Sequence, residues 1–74
     1  MLLQVVLDTM KRHANHTEVV LNACWALMNM SENAANRVAI IAQGGVAASR
    51  DAKRNHPGNN EIQKIADDLL DALQ

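Results

Sequence analysis

The chain has 74 residues, of which 49% are apolar and 20% charged, and its formal net charge is −1. This length allows one small domain with a modest core, and the near-neutral charge gives no electrostatic indication of nucleic-acid binding. A single cysteine excludes an intramolecular disulfide, and no apolar segment is long enough to cross a membrane.

The predicted elements are all helices. Long Ala, Leu, Met and Val segments are interrupted at Gly44-Gly45 and Pro57-Gly58, which indicates an all-α fold. The first helix is predicted over residues 2–12, and the polar residues 13–16 connect it to the second. Its apolar face carries Leu3, Val6, Leu7 and Met10, widened by Leu2 and Val5. Thr17 and Asn15 are both candidate N-caps for the second helix.

The second helix, ending near Met30, is apolar on two sides. One stripe holds Val19, Ala23, Leu27 and Met30, and the other holds Leu21, Trp25, Met28 and Asn29. Because its central run, residues 22–30, contains neither Gly nor Pro, we interpret it as a buried helix. A helix with two apolar stripes needs cover from two directions, so we expect it to be sandwiched between neighbours.

Three further helices follow. Residues 31–33 end the second helix, and a third, shorter helix over residues 35–43 carries Val38, Ile41 and Ala42 on one side. Gly44-Gly45 ends it, because a residue free to adopt positive φ is needed there. A weak fourth helix over residues 46–54 has a face of mostly small residues, so we expect thin packing. After the break at residues 55–59, the fifth helix, 60–73, has one clean apolar stripe, formed by Ile62, Ile65, Ala66, Leu69, Leu70 and Leu73.

An internal repeat links the two halves of the chain. A shift of about 43 residues brings the apolar stripe of the second helix onto that of the fifth, whereas Lys11-Arg12 matches Lys53-Arg54 one residue earlier. One residue is therefore inserted near Asn55. Repetition at roughly 40 to 47 residues, with two or three helices per unit, is typical of armadillo and HEAT solenoids.

The residues favour the first of these families. The segments NACWALMNM (22–30) and NAANRVAIIAQGGV (33–46) combine a Trp-Ala-Leu-x-Asn helix, a polar link, an Asn-Arg-x-x-Ile helix and a double glycine. This pattern resembles the armadillo repeat. The resemblance implies a right-handed α-solenoid fragment of about five helices within one unit, 1–74. Residues 1–43 would supply the second and third helices of one repeat and the first helix of the next, and residues 44–74 the second and third helices of a last, capping repeat.

The resemblance implies a non-enzymatic interaction module without a cofactor, which binds an extended peptide or a partner protein on the groove formed by the third helices. Trp25 and Asn29 match the family's peptide-contacting pair in type and spacing, and Asn22 lies one turn before them. Residues four apart share a helix face, where Trp offers an aromatic surface for a basic side chain and Asn a bidentate amide. Alternatively, Trp25 is core and Asn29 is merely on the surface. The matching positions of the second repeat are read as Asp68 and Ala72, so a single site would bind weakly.

The two ends of the chain differ. The last helix has a polar outer face, as a solenoid cap requires, whereas the first helix appears too widely apolar to be covered by the second helix alone. We therefore expect a piece of a longer array that associates with itself through Leu2, Leu3, Val6 and Met10. The alternative function is accordingly structural: a C-terminal capping and self-association segment, forming a homo-oligomer, with no ligand of its own.

Other chemistry has weak support in the sequence. Cys24 with His13 or His16 is the only nucleophile–base candidate, and its apolar helix should raise the pKa of the thiol, so no enzyme is expected. The histidines sit in turns without metal-ligand spacing, so no metal is expected either. The basic residues Lys11, Arg12, Arg50, Lys53 and Arg54 either complement helix C-termini or form a ridge for an acidic partner or phosphate. Without a signal peptide, a cytoplasmic or nuclear protein with no membrane or nucleic-acid partner is expected.

Overall fold

The computed structural model describes residues 3–74 and contains five α-helices and no strand in that range. They are α1 (Leu3–Arg12), α2 (Thr17–Met30), α3 (Ala34–Ala42), α4 (Gly45–Asn55) and α5 (Asn60–Ala72). The predicted all-α fold is confirmed, and the bounds of α3 to α5 differ from the predicted ones by at most one residue at each end. The predicted start of α1 at Leu2 lies outside the described residues. None of these helices is both long and apolar enough to span a bilayer.

Side chains at the helix starts explain where the elements begin. The Asn33 side chain accepts hydrogen bonds from the amides of Ala35 and Asn36, at 2.9 and 3.2 Å, and so caps α3. Helix α2 is capped by His16, a residue that the sequence prediction of Thr17 or Asn15 missed, because histidine is not a preferred N-cap. The predicted positive φ between α3 and α4 is confirmed at Gly44, where φ is 95°.

Four of the helices pack as a ring. Helix α1 contacts α2 and α4, while α5 contacts the same two helices from the other side, and α3 packs against α4 and α2. Each helix turns one stripe of side chains into the shared core. Helix α2 therefore has neighbours in two directions, but the expectation that both of its apolar stripes are covered is wrong. Its buried residues, Val20, Ala23, Cys24 and Leu27, form one face, whereas Trp25 and Asn29 of the second stripe are exposed.

The buried positions of the first helical hairpin, α1–α2, recur 42 residues later in the second hairpin, α4–α5. The equivalent pairs of buried residues are Leu3 and Gly45, Leu7 and Ser49, Met10 and Ala52, Val20 and Ile62, Ala23 and Ile65, Cys24 and Ala66, Leu27 and Leu69, and Ser31 and Leu73. The sequence pattern had aligned α2 with α5 one residue further on. A single shift of 42 residues therefore holds on both sides of Asn55, and the prediction of an inserted residue there is wrong. The two hairpins differ only in that α4 ends and α5 begins one residue later than the equivalent helices.

Small residues let α4 approach α3 closely. A Cβ atom at Gly45 would collide with Cγ2 of Ile40 and would lie 2.9 Å from the Ile40 carbonyl oxygen. The buried Ser49 hydroxyl donates a 2.8 Å hydrogen bond to the Gly45 carbonyl, so it carries no unsatisfied polar group into the core. Towards α1, other small residues of α4, namely Ala47, Ala48 and Ala52, line a groove of about 240 Å³. The thin packing expected of α4 is found on the α1 side, and its α3 side is tight.

Two expectations about apolar faces need correction. In α3, the side chains of Val38 and Ile41 are 68% and 45% exposed, and Ile40 is the buried one. In α1, Leu3 and Met10 are only 3% and 5% exposed, because α4 as well as α2 covers this helix. These two side chains are thus not open for another copy of the chain. Val6 is half-buried, and Leu2 lies outside the described residues.

Candidate interaction surface

The exposed stripe of α2 contains the predicted site residues. Asn22, Trp25 and Asn29 are all exposed, and their spacing places them on one face, opposite the buried Val20 and Leu27. The Trp25 side chain is 53% exposed, so the alternative that it belongs to the core is wrong. The structure therefore brings the three predicted residues together on a single accessible face.

Helix α5 presents an equivalent stripe beside it. A hydrogen bond of 2.8 Å between His56 Nε2 and the Ala14 carbonyl oxygen joins the turn before α5 to the turn before α2. Since the two helices start from adjoining turns and contact each other, they run in the same direction. The residues equivalent to Asn22, Trp25 and Asn29 are Lys64, Asp67 and Asp71, not Asp68 and Ala72 as the sequence pattern suggested. These six residues form what we call the α2–α5 surface.

The α5 half of this surface is acidic. Glu61, Asp67, Asp68 and Asp71 lie on α5 with Lys64 as its only cation. Lys53 of α4 pairs with Asp67, and Nζ of Lys64 lies 3.3 Å from Oδ2 of Asp68. Within residues 3–74, Glu61 and Asp71 have no such ion pair. Helix α2, with the exposed ring of Trp25, thus packs against a helix whose exposed stripe is acidic and includes Asp71 without an ion pair in the described residues. Aromatic and acidic groups on neighbouring helices suit a basic side chain with a long aliphatic stem.

Partly buried hydrogen bonds fix the turns that place the two stripes. The side-chain amide of Gln63 donates to the carbonyl oxygens of Lys53 and His56, at 2.9 and 3.0 Å. Together with the bond from His56 to Ala14, these contacts tie α4, α5 and both turns to one another. Sequence analysis missed Gln63 and His56, because their partners are set by tertiary packing and no local motif indicates them.

The residues considered for catalysis lie apart. Cys24 is fully buried, and burial raises the pKa of its thiol from 9.0 to about 11, as the sequence predicted in direction. His13 and His16 are exposed in the turn before α2, a full turn or more of helix away from Cys24 along the chain. In the described part of the chain, no three His, Cys, Asp or Glu side chains gather as a metal site would require.

Comparison with protein-family models, with curated proteins and with solved structures finds no match to this chain. The resemblance to the armadillo repeat therefore stays a prediction based on the residues quoted above.

Proposed function

We propose that the protein is a non-enzymatic interaction module that binds an extended peptide, or an extended segment of a partner protein, on the α2–α5 surface. The observation that carries the proposal is the exposure of Trp25 in line with Asn22 and Asn29. Tryptophan is the largest apolar side chain, and keeping half of it in water forgoes stabilisation that burial would give. On a helix whose other face is core, such a residue marks a binding surface.

The repetition in the structure supports an extended ligand. The α2 and α5 stripes run side by side and in the same direction, so a chain crossing both would meet similar positions in succession. The Asn29 amide can donate to and accept from a peptide backbone at once. This arrangement is the one that an armadillo-type α-solenoid would use, and the fold is proposed on that basis to be a fragment of such a solenoid.

The charge of α5 indicates a basic ligand. Asp67, Asp68 and Asp71 lie on α5, which packs beside the helix that carries Trp25, and Asp71 has no ion pair within residues 3–74. A Lys or Arg side chain could lay its stem on the indole and place its charge among the carboxylates. Because exposed ion pairs are individually weak, we expect modest affinity that falls as salt is added.

The test is a titration of the protein with a peptide that alternates Lys or Arg with Ala, followed by the fluorescence of Trp25, the chain's one tryptophan. We expect the emission to change on binding. Trp25→Ala, followed with a labelled peptide, should weaken binding about fivefold through loss of roughly 1 kcal/mol of aromatic contact. Asn29→Ala should weaken binding by a similar factor through loss of a backbone hydrogen bond.

Asn55→Ala is the matched control, because Asn55 is also exposed but lies at the end of α4, away from the α2–α5 surface. Its affinity should equal that of the unmodified chain. Far-UV circular dichroism must show unchanged helicity in all three variants. Equal affinities for Trp25→Ala, Asn29→Ala and the control would refute the proposal.

A second candidate function, structural capping and self-association, is favoured by the exposed apolar side chains of α1 and α3. Val5, Val38 and Ile41 are 58%, 68% and 45% exposed. They offer a second copy the contacts that the buried Leu3 and Met10 do not. Light scattering over a dilution series tests this candidate: a dimer that Val38→Ser with Ile41→Ser dissociates supports it, and a monomer at all concentrations rejects it.

A further inference from the structure

Helices α1 and α4 both carry a Lys-Arg pair in their last turn, but in the described part of the chain only the pair of α4 forms ion pairs. In the second hairpin, Lys53 pairs with Asp67, and Nη2 of Arg54 lies 2.5 Å from Oδ1 of Asp51. The first hairpin has Lys11 and Arg12 at the equivalent positions. The residues that correspond to the two aspartates there are Trp25 and Thr9, which carry no charge.

Lys11 and Arg12 consequently have no ion pair within residues 3–74, and both are exposed. Their neighbours in the turn, His13 and His16, supply no acidic group either. Two carboxylates lie near, but Asp8 accepts a hydrogen bond from Gln4 and Asp51 pairs with Arg54, and neither forms an ion pair with Lys11 or Arg12. Because the fold satisfies the same two cations with carboxylates 42 residues later, the complementary group for Lys11 and Arg12 is a pair of carboxylates.

An apolar groove opens next to these cations. It lies between α1 and α4 and has a volume of about 240 Å³. Its apolar lining includes Leu7, Met10, Ala48 and Ala52, and the charged residues in the lining are Lys11 and Asp51, the latter paired with Arg54. The groove exists because α4 carries small residues where α1 carries large ones. Since an apolar cavity of about 150 Å³ accommodates benzene, this one has room for a large aliphatic side chain.

We propose that the α1–α4 groove binds an acidic segment of a partner protein that carries a bulky aliphatic side chain beside its carboxylates. Lys11 and Arg12 hold the carboxylates as Lys53 and Arg54 hold Asp67 and Asp51. The aliphatic side chain enters the groove between Leu7 and Ala48. Lys11 connects the two parts, since it belongs both to the unpaired cations and to the groove. The groove lies on α1 and α4, apart from the α2–α5 surface, whereas Lys11 holds the position whose equivalent, Lys53, reaches Asp67 of that surface.

The probe is a fluorescein-labelled hexapeptide, Glu-Asp-Glu-Leu-Asp-Glu, titrated at low salt and followed by fluorescence anisotropy. Lys11→Gln combined with Arg12→Gln should weaken binding about tenfold, because two exposed ion pairs are lost. The matched control combines Lys53→Gln with Lys64→Gln, which removes the same charge from residues outside the groove lining. Arg54 is kept because its loss would leave Asp51, which lines the groove, without its partner. These cations are already paired, so the control should bind within a factor of two of the unmodified chain.

The aliphatic part is tested by the peptide in which Ala replaces Leu, which should bind the unmodified protein about tenfold more weakly. Ala48→Leu fills the groove and should remove this preference for Leu. Added salt should still weaken binding in this variant, because Lys11 and Arg12 are unchanged. Equal binding of the two peptides by the unmodified protein would overturn the proposal, as would equal losses in the two double variants. The peptide comparison needs no variant of the protein, so misfolding of Ala48→Leu does not compromise the test.

Discussion

The two helical hairpins bury the same positions and fill them differently. At the three positions contributed by α1, the first hairpin has Leu3, Leu7 and Met10, whereas α4 has Gly45, Ser49 and Ala52. In α2 and α5 the equivalent side chains are much closer in size, as in Leu27 and Leu69. The comparison shows that helical register alone decides which positions are buried. Side-chain volume then decides how near the helices approach and where a groove remains.

The largest effect is expected where the hairpins are most alike. Leu27 and Leu69 are equivalent and fully buried, so Leu27→Ala and Leu69→Ala should each lower the free energy of unfolding by about 2–5 kcal/mol through lost contacts and a cavity. Urea denaturation followed by circular dichroism measures both. Val5→Ala, at a largely exposed residue of α1, is the control and should change stability by less than about 0.5 kcal/mol. A large loss at only one of the two leucines would show that the hairpins do not share one core.

Gly45 tests the close approach that sets α4 apart from α1. Gly45→Ala should destabilise the protein by about 1–3 kcal/mol, because its Cβ collides with Ile40. Ile40→Leu removes the Cγ2 atom involved and should recover part of the loss in the double variant. Gly58→Ala serves as control, since open space surrounds that position and its φ is not positive. If both glycine variants unfold at the same temperature, α3 and α4 are not as close as the structure has them.

Cys24 tests a pair of equivalent core positions that differ in chemistry, since Ala66 occupies the same place in α5. The pKa of the buried thiol is raised to about 11, above its value of 9.0 when exposed, so folding disfavours the thiolate. Its contribution to stability is complete below pH 9 and is lost as pH rises towards 11. Over that range the loss should reach up to about 2 kcal/mol. Urea midpoints at pH 8 and 10.5 should show a smaller pH effect in Cys24→Ala than in the unmodified chain, and equal effects would contradict this.

The smallest expected difference concerns the caps of α2 and α5. The Asn59 side chain accepts from the Ile62 amide at 2.9 Å, whereas His16 accepts from the Val19 amide at 3.4 Å. Asn59→Ala should cost about 1 kcal/mol, and His16→Ala only a few tenths, because the histidine bond is long. The midpoints of thermal unfolding of the two variants measure this difference. A larger loss at His16 than at Asn59 would contradict the order.

Sequence reasoning predicted the five helices and the positive φ at Gly44, because both follow from local signals: apolar period, turn residues and caps. It misjudged α3, where Val38, Ile40 and Ile41 are all apolar and the helix is short. The spacing of these apolar residues therefore does not single out one face of the helix. Contact with α4 determines that Ile40 is the buried residue. For α1 it counted only the cover from α2. The additional cover from α4 is a tertiary contact that no local pattern displays, as is the close approach of α4 to α3 at Gly45.

The candidate site, too, was predicted from the sequence only in part. Helical spacing alone placed Asn22, Trp25 and Asn29 on one face, and the structure leaves that face exposed. The neighbouring acidic stripe was predicted one residue too far along α5, because the apolar pattern of α2 and α5 was matched at 43 residues, whereas the buried faces repeat at 42. The unpaired state of Lys11 and Arg12 is visible only once Asp67 and Asp51 are known to pair with their equivalents.

The connection from Ser31 to Gly44, with α3 inside it, also has a consequence for how the chain assembles. The contacts within each hairpin are close in sequence, while those between α1 and α4 and between α2 and α5 require this connection to close. A tether of that length holds one hairpin near the other at an effective concentration in the millimolar range. At micromolar protein concentrations, docking within one molecule therefore outcompetes exchange of hairpins between molecules, and the rate of that docking should not depend on protein concentration.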